Sequence, residues 1–235
     1  ELEIASNIQR SLQPHNLPAL GRLQLAAEWQ PARLVGGDAW GWALPPNGAF
    51  SCFLLDMAGK GLPAALAAMS LHTAIQLGLR TGLSPVEVVR TVSEQVYDTY
   101  TATDLLATVT VLSIDPQTGV LEQANAGHVP TLIRHGGAWV ELKASVPPIG
   151  VFPDMLPDLQ SFTLAPGDLV VCYTDGYTEL STQDGMWGIE GLIGAIPPDC
   201  EDVQLIASGI AAAARRIASD ASLRDDQTLL VIRYG

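Results

Sequence analysis

Positive charge is what this sequence has least of. Twelve lysines and arginines stand against 25 aspartates and glutamates, a formal net charge of −13 over 235 residues. No basic stripe remains to neutralise a phosphate backbone, which excludes nucleic acid as a partner. Cysteine is also scarce. Cys52, Cys172 and Cys200 are too scattered for a disulfide framework or a thiolate metal site. An odd set, partly inside apolar runs, reads as reduced core thiols and points to the cytoplasm. Long apolar runs are missing as well: no stretch reaches the roughly 18 to 20 uninterrupted residues of a membrane span. There is no HExxH or paired Cys/His zinc motif, and no glycine loop of the nucleotide-binding kind. ELEIASNIQR carries neither a signal peptide nor an initiating Met, so the sequence reads as part of a longer chain.

What is present is apolar bulk. Hydrophobic residues make up 48% of the chain and charged residues 16%. That is enough for the core of one large domain. The excess of acid serves solubility, and it also suits a protein that gathers cations.

Ile4, Ile8 and Leu12 recur at helical spacing until Pro14 and Pro18 end the pattern. Residues 1–20 are expected to be a linker helix from an upstream regulatory domain, and residues 21–235 the domain proper. Leu23 to Trp29 alternate as a strand, and AFSCFLLD (49–56) forms a buried strand ending on Asp56. Residues 62–79 and 84–100 read as helices, with Pro63 in a first turn and Ser84-Pro85 as N-cap and N1. From residue 105 the pattern turns to strands. Hairpins are expected around DPQTG and His135-Gly136-Gly137, and DLVVCYTD (168–175) is expected to end a strand on Asp175. An Ala/Ile helix at 202–219 and a last strand at 228–234 follow. Strands, paired helices, more strands, a helix and a strand do not make β-α-β alternation. The order predicts an α+β fold with two mainly antiparallel sheets packed together and helices outside.

The chemistry points to carboxylates. Asp56 and Asp175 each close an apolar strand, where a bare charge is costly unless it is paired or binds a metal. Asp225-Asp226 precede the last strand, and Asp38 follows two glycines that allow close backbone approach. All-oxygen ligands favour Mg²⁺ or Mn²⁺ over zinc. Two such ions can activate water and neutralise a phosphoryl group.

The blocks VGGD (35–38), LLDMAGKGLPAALAAM (54–69), ANAGHVP (124–130), GDLVVCYTDGYTE (167–179) and DDQTLLVIR (225–233) resemble the SpoIIE/RsbU branch of the PPM-type metal-dependent serine/threonine phosphatases. The resemblance implies an α-β-β-α sandwich with metals in a cleft at one edge of the sheets. It implies Asp38, Asp56, Asp175 and Asp225 as the catalytic carboxylates. The metal ligands would be these four with the Met57 carbonyl and Asp226, Asp225 being the better match of the final pair. It further implies Mn²⁺ or Mg²⁺, two ions, and a metal-bridging water as nucleophile. The substrate would be a phosphorylated protein of the anti-sigma-factor-antagonist type. Members often hang from a sensor domain through an N-terminal helix and form homodimers through it.

The sequence departs from the family pattern at Ala39-Trp40-Gly41-Trp42, where a second aspartate is usual, and at Ala58, where serine is usual. These departures motivate an alternative, a catalytically weakened module that binds partners. Three further residues enter the expectation. Lys60 is read mainly as a turn residue, His128 mainly as a structural group, and Arg33 as a surface residue near the expected site.

Overall fold

Every strand and helix of the sequence pattern has a counterpart in the computed structural model, which describes residues 1–14, 16–182, 185–197, 200–218 and 223–235. The chain opens with α1 (Leu2–Leu12), β1 (Leu23–Gln30), β2 (Ala39–Ala43) and β3 (Phe50–Met57). Two helices follow, α2 (Leu62–Arg80) and α3 (Pro85–Ala102). Next come β4 (Ala107–Ile114), β5 (Val120–Ala126), β6 (Thr131–His135), β7 (Ala138–Leu142), β8 (Gln160–Thr163) and β9 (Leu169–Tyr173). The last part holds α4 (Asp175–Thr178), β10 (Ser181–Thr182), β11 (Gly185–Met186), α5 (Gly188–Gly194), α6 (Val203–Ala218) and β12 (Gln227–Tyr234).

The strands form two five-stranded antiparallel sheets, ordered β1-β12-β9-β6-β7 and β2-β3-β4-β5-β8, with β10-β11 a separate hairpin. Three apolar layers hold them. Cys52, Leu54, Leu112, Cys172, Leu230 and Ile232 fill the space between the sheets. α2 and α3 cover one outer face through residues such as Leu71, Ile75 and Val89. α5 and α6 cover the other through Leu192, Ile206 and Ile210. The architecture is the expected α-β-β-α sandwich.

α3 begins as its sequence predicts. The Ser84 hydroxyl accepts from the Glu87 amide at 3.4 Å, and the Glu87 carboxylate accepts from the Ser84 amide at 2.8 Å. This reciprocal box satisfies donors that the first turn leaves open. Ser84→Ala is expected to cost about 1 kcal/mol, read as a lower urea midpoint at unchanged slope.

α2 is long and apolar enough by composition to cross a membrane, with a mean hydropathy of 1.3. Here it packs Ala64, Ala68, Leu71, Ile75 and Leu79 onto the sheet, so that hydropathy belongs to a core helix.

Two local expectations change. The strand expected to end on Asp175 stops at Tyr173, and Asp175 opens the first turn of α4. α1 docks by its polar face: Ser6, Gln9 and Gln13 are buried, whereas Leu2, Ile4, Ile8 and Leu12 are exposed. The periodicity is helical as read, but the apolar stripe is not what meets the domain.

Candidate metal centre

Strand parity places the carboxylates. In β3, Phe53, Leu55 and Met57 face the helices, and Phe50, Cys52 and Leu54 face the other sheet. The same alternation carries Asp56 to the inter-sheet side, at the end of the strand. In β12, Leu229 and Val231 face α6 while Leu230 and Ile232 face inward, so Thr228 also points inward. Thr174, one residue past β9, keeps the inward phase of Val170 and Cys172. The end of the inter-sheet layer is therefore polar, where the rest of it is apolar.

Asp38 lies deepest, at 1% exposure. Its Oδ2 accepts hydrogen bonds from the hydroxyls of Thr174 and Thr228, both at 2.7 Å. Burial, then the charges of Asp56 and Asp226, raise its pKa well above the usual carboxylate range despite those donors. Burial, then Asp175 and Asp225, push Asp56 up to about 7. Asp175 is raised by burial, then by Glu179 and Asp225. These mutual repulsions put all the predicted carboxylates in one cleft.

The two glycines before Asp38 have a steric reason. A Cβ on Gly36 would strike the Asp226 carboxylate, and one on Gly37 would come within 2.9 Å of the Met57 carbonyl oxygen. The Met57 amide donates to the Gly37 carbonyl at 3.3 Å. The expected carbonyl donor thus sits against the Asp38 loop.

The paired aspartates divide their roles. Asp226 accepts from the amides of Ala32 (2.7 Å), Gly37 (2.6 Å) and Asp38 (3.4 Å), so both its oxygens serve the loop before Asp38. Asp225 turns to Lys60, whose ammonium lies 2.7 Å from Asp225 Oδ2 and 2.6 Å from the Arg224 carbonyl. Lys60, read as a turn residue, is thus a counter-cation at the cleft. The pair is 45% and 43% exposed, so it contributes about 1 kcal/mol at most.

His128 is a strut. Its Nε2 donates to the Tyr173 carbonyl at 3.0 Å, which leaves Nδ1 to accept from the Thr108 hydroxyl at 2.7 Å. Thr108 and Tyr173 belong to different sheets, so the ring ties the sandwich together two residues before Asp175. Burial pushes its pKa down to about 4 and keeps the ring neutral. Arg33 is exposed, beside Gly61 at the rim of the site.

The donor set suits a hard divalent ion in kind, since it is all oxygen, short of positive charge and ranges from the buried Asp38 to the half-exposed Asp225. Among the described residues no group of three or more acidic, His or Cys side chains stands close enough together to hold one ion; the carboxylates line an open cleft. Sequence reasoning missed Thr174, Thr228, Glu179 and Gln9. The inward phase of β9 and β12 could have found the two threonines, and nothing in the local sequence marks Gln9.

Residues 46–235 match the family model for stage II sporulation protein E (SpoIIE). The chain belongs to the SpoIIE family. It is thereby one of the PPM-type phosphatase domains. This SpoIIE-family domain is 27% identical to the phosphoserine phosphatase RsbU of Bacillus subtilis over 238 residues, covering 99% of the chain and 70% of RsbU. It is 28% identical to the phosphoserine phosphatase RsbP of the same organism over 180 residues, covering 75% of the chain. The chain spans 44% of the length of RsbP. The fold superposes on the SiaA-PP2C domain of Pseudomonas aeruginosa with a TM-score of 0.87, at 23% identity, covering 100% of this chain and 96% of that one.

Proposed function

We propose that this domain is a divalent-metal phosphatase acting on phosphoserine or phosphothreonine in a protein of the anti-sigma-factor-antagonist type. The observation that carries the reading is the charge imbalance of the cleft. Asp38, Asp56 and Asp175 crowd together with raised proton affinity, and among the described residues Lys60 is the cation paired with the group, through Asp225. Relatives named as phosphoserine phosphatases support the reaction class.

Asp38, Asp56, Asp175 and Asp225, with the Met57 carbonyl, would hold Mn²⁺ or Mg²⁺, two ions being the expected number. Asp226 suits a different task, holding the 32–38 backbone through its three amide contacts. Bound there, the ions supply an activated water and neutralise the phosphoryl oxygens. The chain's own groups prepare the place. Thr174 and Thr228 fix the Asp38 carboxyl, and His128 holds the sheets at the spacing the cleft needs. Lys60 and Arg33, both at the rim, can meet the incoming phosphate.

Trp40 packs between the sheets and Ala39 against the helices. The departures at Ala39 and Trp40 therefore serve the core. The exposed Leu2, Ile4, Ile8 and Leu12 support α1 as the docking face for a regulatory domain or a second copy. Cys52 and Cys172 are free, buried thiols, in keeping with a cytoplasmic setting.

The test is hydrolysis of a phosphoserine peptide. Turnover is expected with Mn²⁺ or Mg²⁺ and is expected to drop by at least about 10³-fold in excess chelator. Undiminished turnover in chelator would sink the reading.

A further inference from the structure

The loop that carries Asp38 has no side chains at Gly36 and Gly37, so these two residues are held through their backbone, Gly37 in part by the Met57 amide at the end of β3. Asp226 grips the loop through the amides of Gly37 and Asp38. A further grip comes from the N-terminal helix. Gln9, 2% exposed, donates from Nε2 to the Gly36 carbonyl at 2.7 Å and accepts the Gly36 amide on Oε1 at 3.0 Å. One side chain thus satisfies both polar groups of a residue 27 positions away. Neighbouring Gln13 adds a contact to the Trp40 amide at 3.2 Å, just beyond Asp38.

Paired glycines lose more conformational freedom on ordering than any other residues. A loop of this kind would sample many backbone states unless both ends were held. Gln9 holds Gly36 and Asp226 holds Gly37 and Asp38, and the Asp38 carboxyl then meets Thr174 and Thr228 in a single orientation.

We propose that Gln9 is a positioning residue of the metal centre. It sets the Gly36–Gly37–Asp38 backbone so that Asp38 faces the ions, and it makes α1 a working part of the site. The proposal rests on the metal reading above.

The experiment titrates Mn²⁺ calorimetrically into the wild-type chain, Gln9→Met and Val92→Ala. Gln9→Met keeps the side-chain volume and removes both hydrogen bonds. Val92→Ala truncates a buried residue of α3 (2% exposed) that is no part of the site, so it reports the effect of lost stability alone. Amide hydrogen exchange at residues 36–38 is read in parallel.

Gln9→Met is expected to weaken Mn²⁺ binding about tenfold, the scale of two lost hydrogen bonds, and to speed exchange at 36–38. Val92→Ala should leave both within about twofold. Wild-type affinity in Gln9→Met, or equal weakening in Val92→Ala, overturns the proposal alone. A wild-type chain that binds no Mn²⁺ overturns it together with the metal reading.

Discussion

Asp56→Asn is expected to abolish phosphatase turnover and, in the same protein, to raise the melting temperature without metal. The two effects share one cause. Asp56 sits among Asp38, Asp175, Asp225 and Asp226, and burial with the repulsion of Asp175, Asp225 and Asp226 pushes its pKa from 3.8 to about 7, against a hydrogen bond with Asp38 that lowers it. Above that pH the folded chain carries a charge it disfavours. At about 1.4 kcal/mol per tenfold change in proton affinity, the upper bound on the strain is about 4 kcal/mol. Rearrangement of the neighbouring carboxylates lowers it, and a gain of about 2 kcal/mol is expected for the neutral amide at pH 8. Function takes the opposite sign. The amide offers one neutral oxygen in place of two that share a negative charge, and a loss of at least about 10³-fold in turnover is expected. A site that spends stability on function is a common trade. Melting in EDTA at pH 8 and phosphopeptide turnover in Mn²⁺ check both halves. Wild-type turnover would remove Asp56 from the site, and a lower melting temperature would contradict the repulsion account.

The second large effect is a metal stabilisation that grows with pH. The folded pKa of Asp56 lies above its unfolded value, so its contribution to stability is fully present below about pH 4. It is lost as the pH climbs through about 7. Asp38 and Asp175 are shifted in the same direction. A divalent ion competes with those protons and gains affinity as they leave. Burial lowers His128 and His72 to about 4, which acts in the reverse direction. Their contribution is present above about pH 6.5 and is lost as the pH falls through about 4. Metal-free protein should therefore be most stable in mildly acidic buffer, and Mn²⁺ should move the optimum upward. At a hundredfold excess over Kd, binding contributes about 2.7 kcal/mol, or roughly 5 to 10 °C for a domain of this size. The increment at pH 5.5 should be less than half that at pH 8. Thermal melts with and without Mn²⁺ across this range test it. An increment independent of pH would show that the raised carboxylates are not the ligands.

Much of the domain is written in local pattern. The alternation in 49–56, the Ser84-Pro85 cap and the block order from VGGD to DDQT determine the strands, the helix starts and the family. They need only neighbours in sequence, because helical and strand periods are properties of short segments. Four of the five aspartates were legible for the same reason, as charges at the ends of apolar runs, and Asp38 by the two glycines before it.

Tertiary structure decided what each of them does. Asp225 and Asp226 are adjacent and identical in type, yet one pairs with Lys60 and the other holds the loop before Asp38. The threonines on Asp38 lie 136 and 190 positions from it, beyond the reach of any periodicity. α1 shows the limit most plainly. Its apolar stripe marks a helix but not a contact, because the domain offers it unpaired backbone at Gly36 and Trp40 rather than apolar surface. Amide side chains satisfy that backbone and leucines cannot, so the polar face docks and the apolar face remains outside.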